Sequence, residues 1–122
     1  VPAMPITILL VDDSRASRML CGSVIRSMRA DVAILEAGDG EGALALLAGC
    51  TPSLAVLDMN MPGMSGLELA ERIRVSHPDM KLALLTANIQ ESIQRRAAAL
   101  GVHFFRKPIG EAVIGDILAL LD

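Results

Sequence analysis

Aromatic side chains are almost absent from this sequence. Its 122 residues include no Trp and no Tyr, and the two Phe, Phe104 and Phe105, are neighbours. Aliphatic side chains must therefore build the core, and 52% of the chain is hydrophobic. Long apolar runs are missing too. The longest hold about six residues, well short of the roughly 18–20 that a spanning helix needs, so no segment reads as a membrane helix.

Cysteine and lysine are scarce. Cys21 and Cys50 stand alone, with no CxxC or CxxH spacing, which excludes a disulfide framework or a zinc site and suits reduced thiols in the cytoplasm. Lys81 and Lys107 are the only lysines beside nine arginines. These 11 basic residues are scattered, and 14 acids outnumber them for a net charge of −3. Contact with a nucleic-acid backbone needs a clustered basic face, so direct nucleic-acid binding by this domain is not expected. Residues 1–5 lack the charged n-region of a signal peptide and read as a native tail or cloning remnant. Residues 6–122 have the length of one domain, which should bury roughly two-thirds of the unfolded chain's surface.

Five short apolar runs are present, at Ile6–Val11, Val32–Leu35, Leu54–Leu57, Leu82–Leu85 and Val102–Phe105. They do not alternate with polar residues, as expected for strands covered by helices on both faces. The segments between them have helical periodicity. In the first, Met19, Leu20, Val24, Ile25 and Met28 are expected to share an apolar face. The second helix should run from about Glu41 to Ala48 and stop at Gly49. Ser65 and Glu68 form a capping-box pattern for the third, which should end at His77 before Pro78. Asn88 with Glu91 suggests the start of the fourth, lined by Ile89, Ile93, Ala97 and Leu100 and closed by Gly101. The fifth should turn Val113, Ile114, Ile117, Leu118 and Leu121 inward. Five strand–helix units predict an α/β fold with a doubly wound, five-stranded parallel sheet, flavodoxin-like, in the order 2-1-3-4-5.

In such a sheet every strand ends at the same edge, where ligands bind. The residues at those ends are Asp12-Asp13, Asp58, Thr86 and Lys107. The order 2-1-3-4-5 makes the first and third strands neighbours, so three carboxylates converge. Three clustered acids repel one another unless a positive charge sits among them, and Mg²⁺ (or Mn²⁺) is a hard cation that takes oxygen ligands. Lys107 adds an ammonium and Thr86 a hydroxyl. Metal, ammonium and hydroxyl together suit the equatorial oxygens of a phosphoryl group.

Asp12-Asp13, Asp58 within Leu57-Asp58-Met59-Asn60-Met61-Pro62-Gly63-Met64-Ser65-Gly66, Thr86-Ala87 and Lys107-Pro108 resemble the receiver domain of bacterial two-component response regulators, including the chemotaxis type. The resemblance extends from about Ile6 to Leu121. It implies that Asp58 is the phosphoacceptor, phosphorylated by a histidine kinase or a histidine phosphotransfer protein. Asp13, Asp58 and the backbone carbonyl of Asn60 would ligate the metal, with Asp12 acting through a water. Lys107 would contact the phosphoryl oxygens, and Thr86 and Phe104 would form the switch. Asn60 and Asn88 stand where the family tunes the phosphoryl lifetime, and Lys107-Pro108 is expected to be cis. The fourth helix, fifth strand and fifth helix would control a downstream effector, an attached output domain or a phosphorylation-dependent dimer. The resemblance implies a signalling domain that catalyses its own phosphotransfer and autodephosphorylation, rather than an enzyme acting on other substrates.

Phe104 and Phe105 should face opposite sides of the sheet. Met59, Met61 and Met64 read as loop packing, with Met59 placed to gate Asp58. His77 and His103 read as surface or structural residues, and Arg95-Arg96 as a solvated face or a partner contact. Two other functions share parts of this pattern. A haloacid-dehalogenase-like phosphohydrolase also uses a strand-end aspartate and Mg²⁺, but wants a second aspartate where Asn60 stands. A docking receiver that works without phosphorylation would not need the acid, threonine and lysine set.

Overall fold

The computed structural model describes residues 6–122, so residues 1–5 lie outside the described part of the chain. The elements alternate: β1 (Ile6–Val11), α1 (Arg15–Met28), β2 (Val32–Ala37), α2 (Gly40–Leu47), β3 (Leu54–Asp58), α3 (Gly66–Ser76), β4 (Lys81–Thr86), α4 (Glu91–Ala99), β5 (His103–Arg106) and α5 (Glu111–Leu118). A 3₁₀ turn over Ala119–Leu121 follows. The strands form one sheet in the order β2-β1-β3-β4-β5. All four pairings are parallel.

Burial follows position in the sheet. Every residue of β3 is buried, as is all of β4 after Lys81, because helices cover both faces. β2 and β5 lie at the edges and mix half-buried with exposed residues, Ala37 alone being buried. One core layer packs α2, α3 and α4 on the sheet through Leu47, Leu69, Ile73 and Ala97. The other packs α1 and α5 through Cys21, Ile25, Ile114 and Ile117. Phe104 joins the first layer and Phe105 the second, as strand alternation requires.

Two helices differ from the sequence expectation. In α1 the buried residues are Cys21, Gly22 and Ile25, while Met19, Leu20 and Met28 are exposed at 61%, 51% and 44%. Consecutive helical residues are about 100° apart, so Met19 and Leu20 cannot both share the Ile25 face. α4 begins at Glu91, and its cap residue is Gln90, with no side-chain cap bond. Asn88 is not the cap because its backbone is engaged with Thr86. Ile89 is accordingly exposed, and Ala97 is the buried residue of this helix.

The bounds of α2 and α3 lie within a residue of expectation, while β2 runs on to Ala37, two residues past Leu35. Ser65 Oγ accepts the Glu68 amide at 3.2 Å, and α3 is capped at His77. Asp39 Oδ1 accepts the Gly42 amide at 2.7 Å and starts α2 at Gly40. The Arg74 guanidinium joins the α3 end to the α4 end. It donates to the carbonyls of Leu100 (2.7 Å), Gly101 (3.1 Å), His77 (3.3 Å) and Met80 (2.6 Å).

Candidate phosphoryl and metal site

Register brings the acids together. Val11, the last residue of β1, pairs with Leu57 of β3, so Asp12 and Asp58 emerge side by side at one edge. One carboxylate oxygen from each of Asp12, Asp13 and Asp58 lies within 4.8 Å of the others. Asp58 and Asp12 are buried and Asp13 is exposed, so the cluster opens to solvent on the Asp13 side.

The loop after β1 is tightly bonded. Asp12 Oδ1 accepts the Ser14 amide at 2.9 Å, and Ser14 Oγ accepts the Ser17 amide at 3.2 Å to cap α1. Burial above all pushes the Asp12 carboxyl above its usual range, aided by the Asp58 and Asp13 charges and opposed by the Ser14 amide and Lys107. Beneath it, burial pushes the Cys21 thiol up to about 12, with the Asp12 charge adding to the effect. Cys21 is therefore an un-ionised packing group.

Lys107 Nζ lies 2.9 Å from Asp58 Oδ1. This contact is an ion pair whose angles do not make a hydrogen bond, and no hydrogen bond reaches that buried oxygen among the described residues. A buried carboxylate oxygen without a hydrogen bond, beside two further acids, is a donor set suited to a hard divalent cation. The residues present therefore fit Mg²⁺. The Lys107-Pro108 bond is cis.

Thr86 is buried at the end of β4, and its hydroxyl turns to the next loop. Oγ1 donates to the Asn88 carbonyl at 2.9 Å and accepts the Asn88 amide at 3.3 Å. Thr86 is thus near the site but bonded away from Asp58. A depression of about 130 Å³ separates the two loops, lined by Met59, Asn60, Thr86, Asn88, Gln90 and Ile93. Met59 is half-buried at its wall, while Asn60 and Asn88 are exposed. Phe104 is half-buried in the core layer beside α4.

Gly66 makes the β3–α3 connection this close. A Cβ there would lie 2.3 Å from the Asp58 carbonyl oxygen and 2.8 Å from Leu84 Cδ1. Arg18 was not singled out from the sequence, yet it lines a cavity together with Asp12 and Asp58. An arginine one turn into an amphipathic helix gives no local signal of such a contact.

The pattern of the response regulator receiver domain family matches residues 8–119. The chain belongs to that family. It is similar to response regulator MprA of Mycolicibacterium vanbaalenii, with 37% identity over 97% of this chain and 51% of the relative. It is also 36% identical to the cyclic di-GMP phosphodiesterase response regulator RpfG of Xanthomonas campestris, over 85% of this chain and 28% of that protein. The chain thus spans about half the length of MprA and less of RpfG. The crystal structure of chemotaxis protein CheY4 from Vibrio cholerae superimposes with a TM-score of 0.86 over 97% of this chain and 99% of that one, at 23% identity. That likeness shows the shared fold. The protein is a receiver domain of two-component signalling, and no described helix of this receiver is long and apolar enough to cross a membrane.

Proposed function

We propose that this receiver is a phosphorylation-activated switch in which Asp58 accepts a phosphoryl group from a histidine kinase or a histidine phosphotransfer protein. The observation that carries this reading is the buried Asp58 carboxylate, with Oδ1 2.9 Å from Lys107 and one of its oxygens within 4.8 Å of oxygens of two more acids. The carboxylate oxygen of Asp58 attacks phosphorus in line with the donor nitrogen, forming an acyl phosphate as the phosphorus–nitrogen bond breaks. Lys107 holds the negative oxygens of the transferred group. Asp13, Asp58 and the Asn60 carbonyl are the ligands proposed for Mg²⁺, with Asp12 acting through a water. When bound, the metal supplies positive charge that offsets the three acids and the transferring group.

Phosphorylation gives Thr86 an acceptor that competes with the Asn88 carbonyl, so its hydroxyl turns toward Asp58. Space vacated beside β4 lets Phe104 repack, and the α4-β5-α5 surface changes for a downstream effector or an output domain attached to residues 6–122. Asn60 and Asn88, at the mouth of the site, set access of water to the acyl phosphate and hence its lifetime.

The test is an amide NMR spectrum with Mg²⁺ and beryllofluoride. Shifts centred on Asp58 and spreading through Thr86 to α4 and β5 are expected, and Asp58→Asn should abolish them. A wild-type protein that binds neither Mg²⁺ nor beryllofluoride would overturn the reading.

A further inference from the structure

Both backbone polar groups of Asp12 are tied to the edge strand. Its N–H donates to the Ala37 carbonyl at 3.2 Å. Its own carbonyl accepts from Nη1 of Arg18, whose Nε donates to Glu36 Oε1 at 3.0 Å. Glu36 and Ala37 are the last two residues of β2, so the Asp12 peptide is clamped to that strand end from two sides. The Arg18 side chain is only 16% exposed, against 45% for Glu36. Arg18 is thus fixed along one side of the acid cluster, whereas Lys107 meets Asp58 directly.

Asp13 has no comparable anchor. Its residue is exposed, and no ion pair reaches its carboxylate among the described residues. Where that carboxylate points is therefore decided by the backbone that carries it. We propose that Arg18 is a positioning residue for the cation site: by holding the Asp12 carbonyl toward β2, it sets the Asp12–Asp13 peptide and aims the Asp13 carboxylate at Asp58. Glu36 supports this role by keeping the guanidinium turned to β2 rather than onto the acids. The planar fork matters because one group must serve a carbonyl and a carboxylate at once, which a lysine ammonium does less well. The inference rests on the metal-binding reading of the three acids.

Mn²⁺ alone is the probe, and its binding to the full chain is followed by electron paramagnetic resonance well below the thermal midpoint. Groups that orient metal ligands typically change affinity by about 10–100-fold when removed. Arg18→Met is expected to weaken Mn²⁺ binding about tenfold, Arg18→Lys to recover part of the loss, and Glu36→Gln to weaken it about threefold. A merely structural role would lower the thermal midpoint but leave the affinity of the folded protein unchanged.

Arg18→Met binding within twofold of wild type overturns the inference. Tighter binding overturns it as well, because the guanidinium would then act only as a repelling charge. If Arg18→Met does not fold, Glu36→Gln decides: unchanged affinity overturns the inference, and weaker binding by folded protein supports it. Asp13→Asn separates the two levels. Wild-type binding that Asp13→Asn abolishes sustains the metal reading even when Arg18 proves irrelevant, whereas a wild type that binds no Mn²⁺ removes both.

Discussion

Lys107 and Asp58 face each other across the end of the sheet, Nζ to Oδ1 at 2.9 Å, with the lysine side chain 27% exposed and the aspartate 6%. The ammonium offsets charge on an oxygen that water hardly reaches. Removing one partner of a fully buried pair costs about 3–5 kcal/mol, and partial exposure reduces that figure. Lys107→Met is expected to lower the unfolding free energy at neutral pH by about 1–3 kcal/mol in metal-free buffer. Urea titrations of the two proteins measure that difference. The same substitution should remove the beryllofluoride-induced amide shifts.

Asp12 gives a pH dependence of definite sign. Its carboxyl is held above the usual 3.8, chiefly by burial. The folded protein therefore keeps this proton more readily than the unfolded chain. The resulting stabilisation is fully present below 3.8 and is lost as pH rises through the higher folded value. Asp12→Asn removes the ionised group. It is expected to stabilise the metal-free protein at neutral pH and raise its thermal midpoint, by about 3–5 °C for each kcal/mol gained. Mg²⁺ should then raise the wild-type midpoint more than that of the variant, a comparison that calorimetry checks directly.

The space at Gly66 is already occupied by the Asp58 carbonyl oxygen, 2.3 Å from where a Cβ would stand. Gly66→Ala must shift the start of α3 or the end of β3, and a loss of about 2–4 kcal/mol is expected. Nothing lies within 4 Å of a Cβ placed at Gly49. Gly49→Ala should therefore leave stability within about 1 kcal/mol of wild type, and urea denaturation of the two variants measures the contrast.

Arg74 closes the opposite end of the fold. Its four hydrogen bonds satisfy carbonyls of His77, Met80, Leu100 and Gly101, in the segments that follow α3 and α4. Arg74→Met should cost about 2–4 kcal/mol, since hydrogen bonds to charged groups contribute about 1.5–3 kcal/mol each and water replaces some of them here. Hydrogen exchange should quicken at Leu100 and Gly101, while Mn²⁺ affinity should stay at the wild-type level because the acids lie at the other edge of the sheet.

The strand order and the site edge were legible because the signals are local and repeated. Five apolar runs without alternation require a sheet covered on both faces, and parallel strands collect Asp12-Asp13, Asp58, Thr86 and Lys107 at one end. Ser65 with Glu68, and Pro78 after His77, marked the bounds of α3 through contacts only a few residues long. The α1 face was legible only in part. Val24 and Ile25 pack on the core as expected, but Met19, Leu20 and Met28 are exposed and Cys21 lies over the sheet, because β1 and α5 fix how the helix rolls.

By itself, then, the sequence determined a receiver fold and the composition of its acid pocket, because residue type and spacing specify strands, helices and the edge at which they end. Tertiary structure alone decided how those groups are held. Arg18 reaches Glu36 across 18 residues and Arg74 reaches Leu100 across 26, separations with no periodic signature. Thr86 is bonded to the Asn88 backbone, and Asn88 is thereby lost as the cap of α4. Such choices depend on which donors and acceptors packing leaves within about 3 Å of one another, and only the folded chain specifies that.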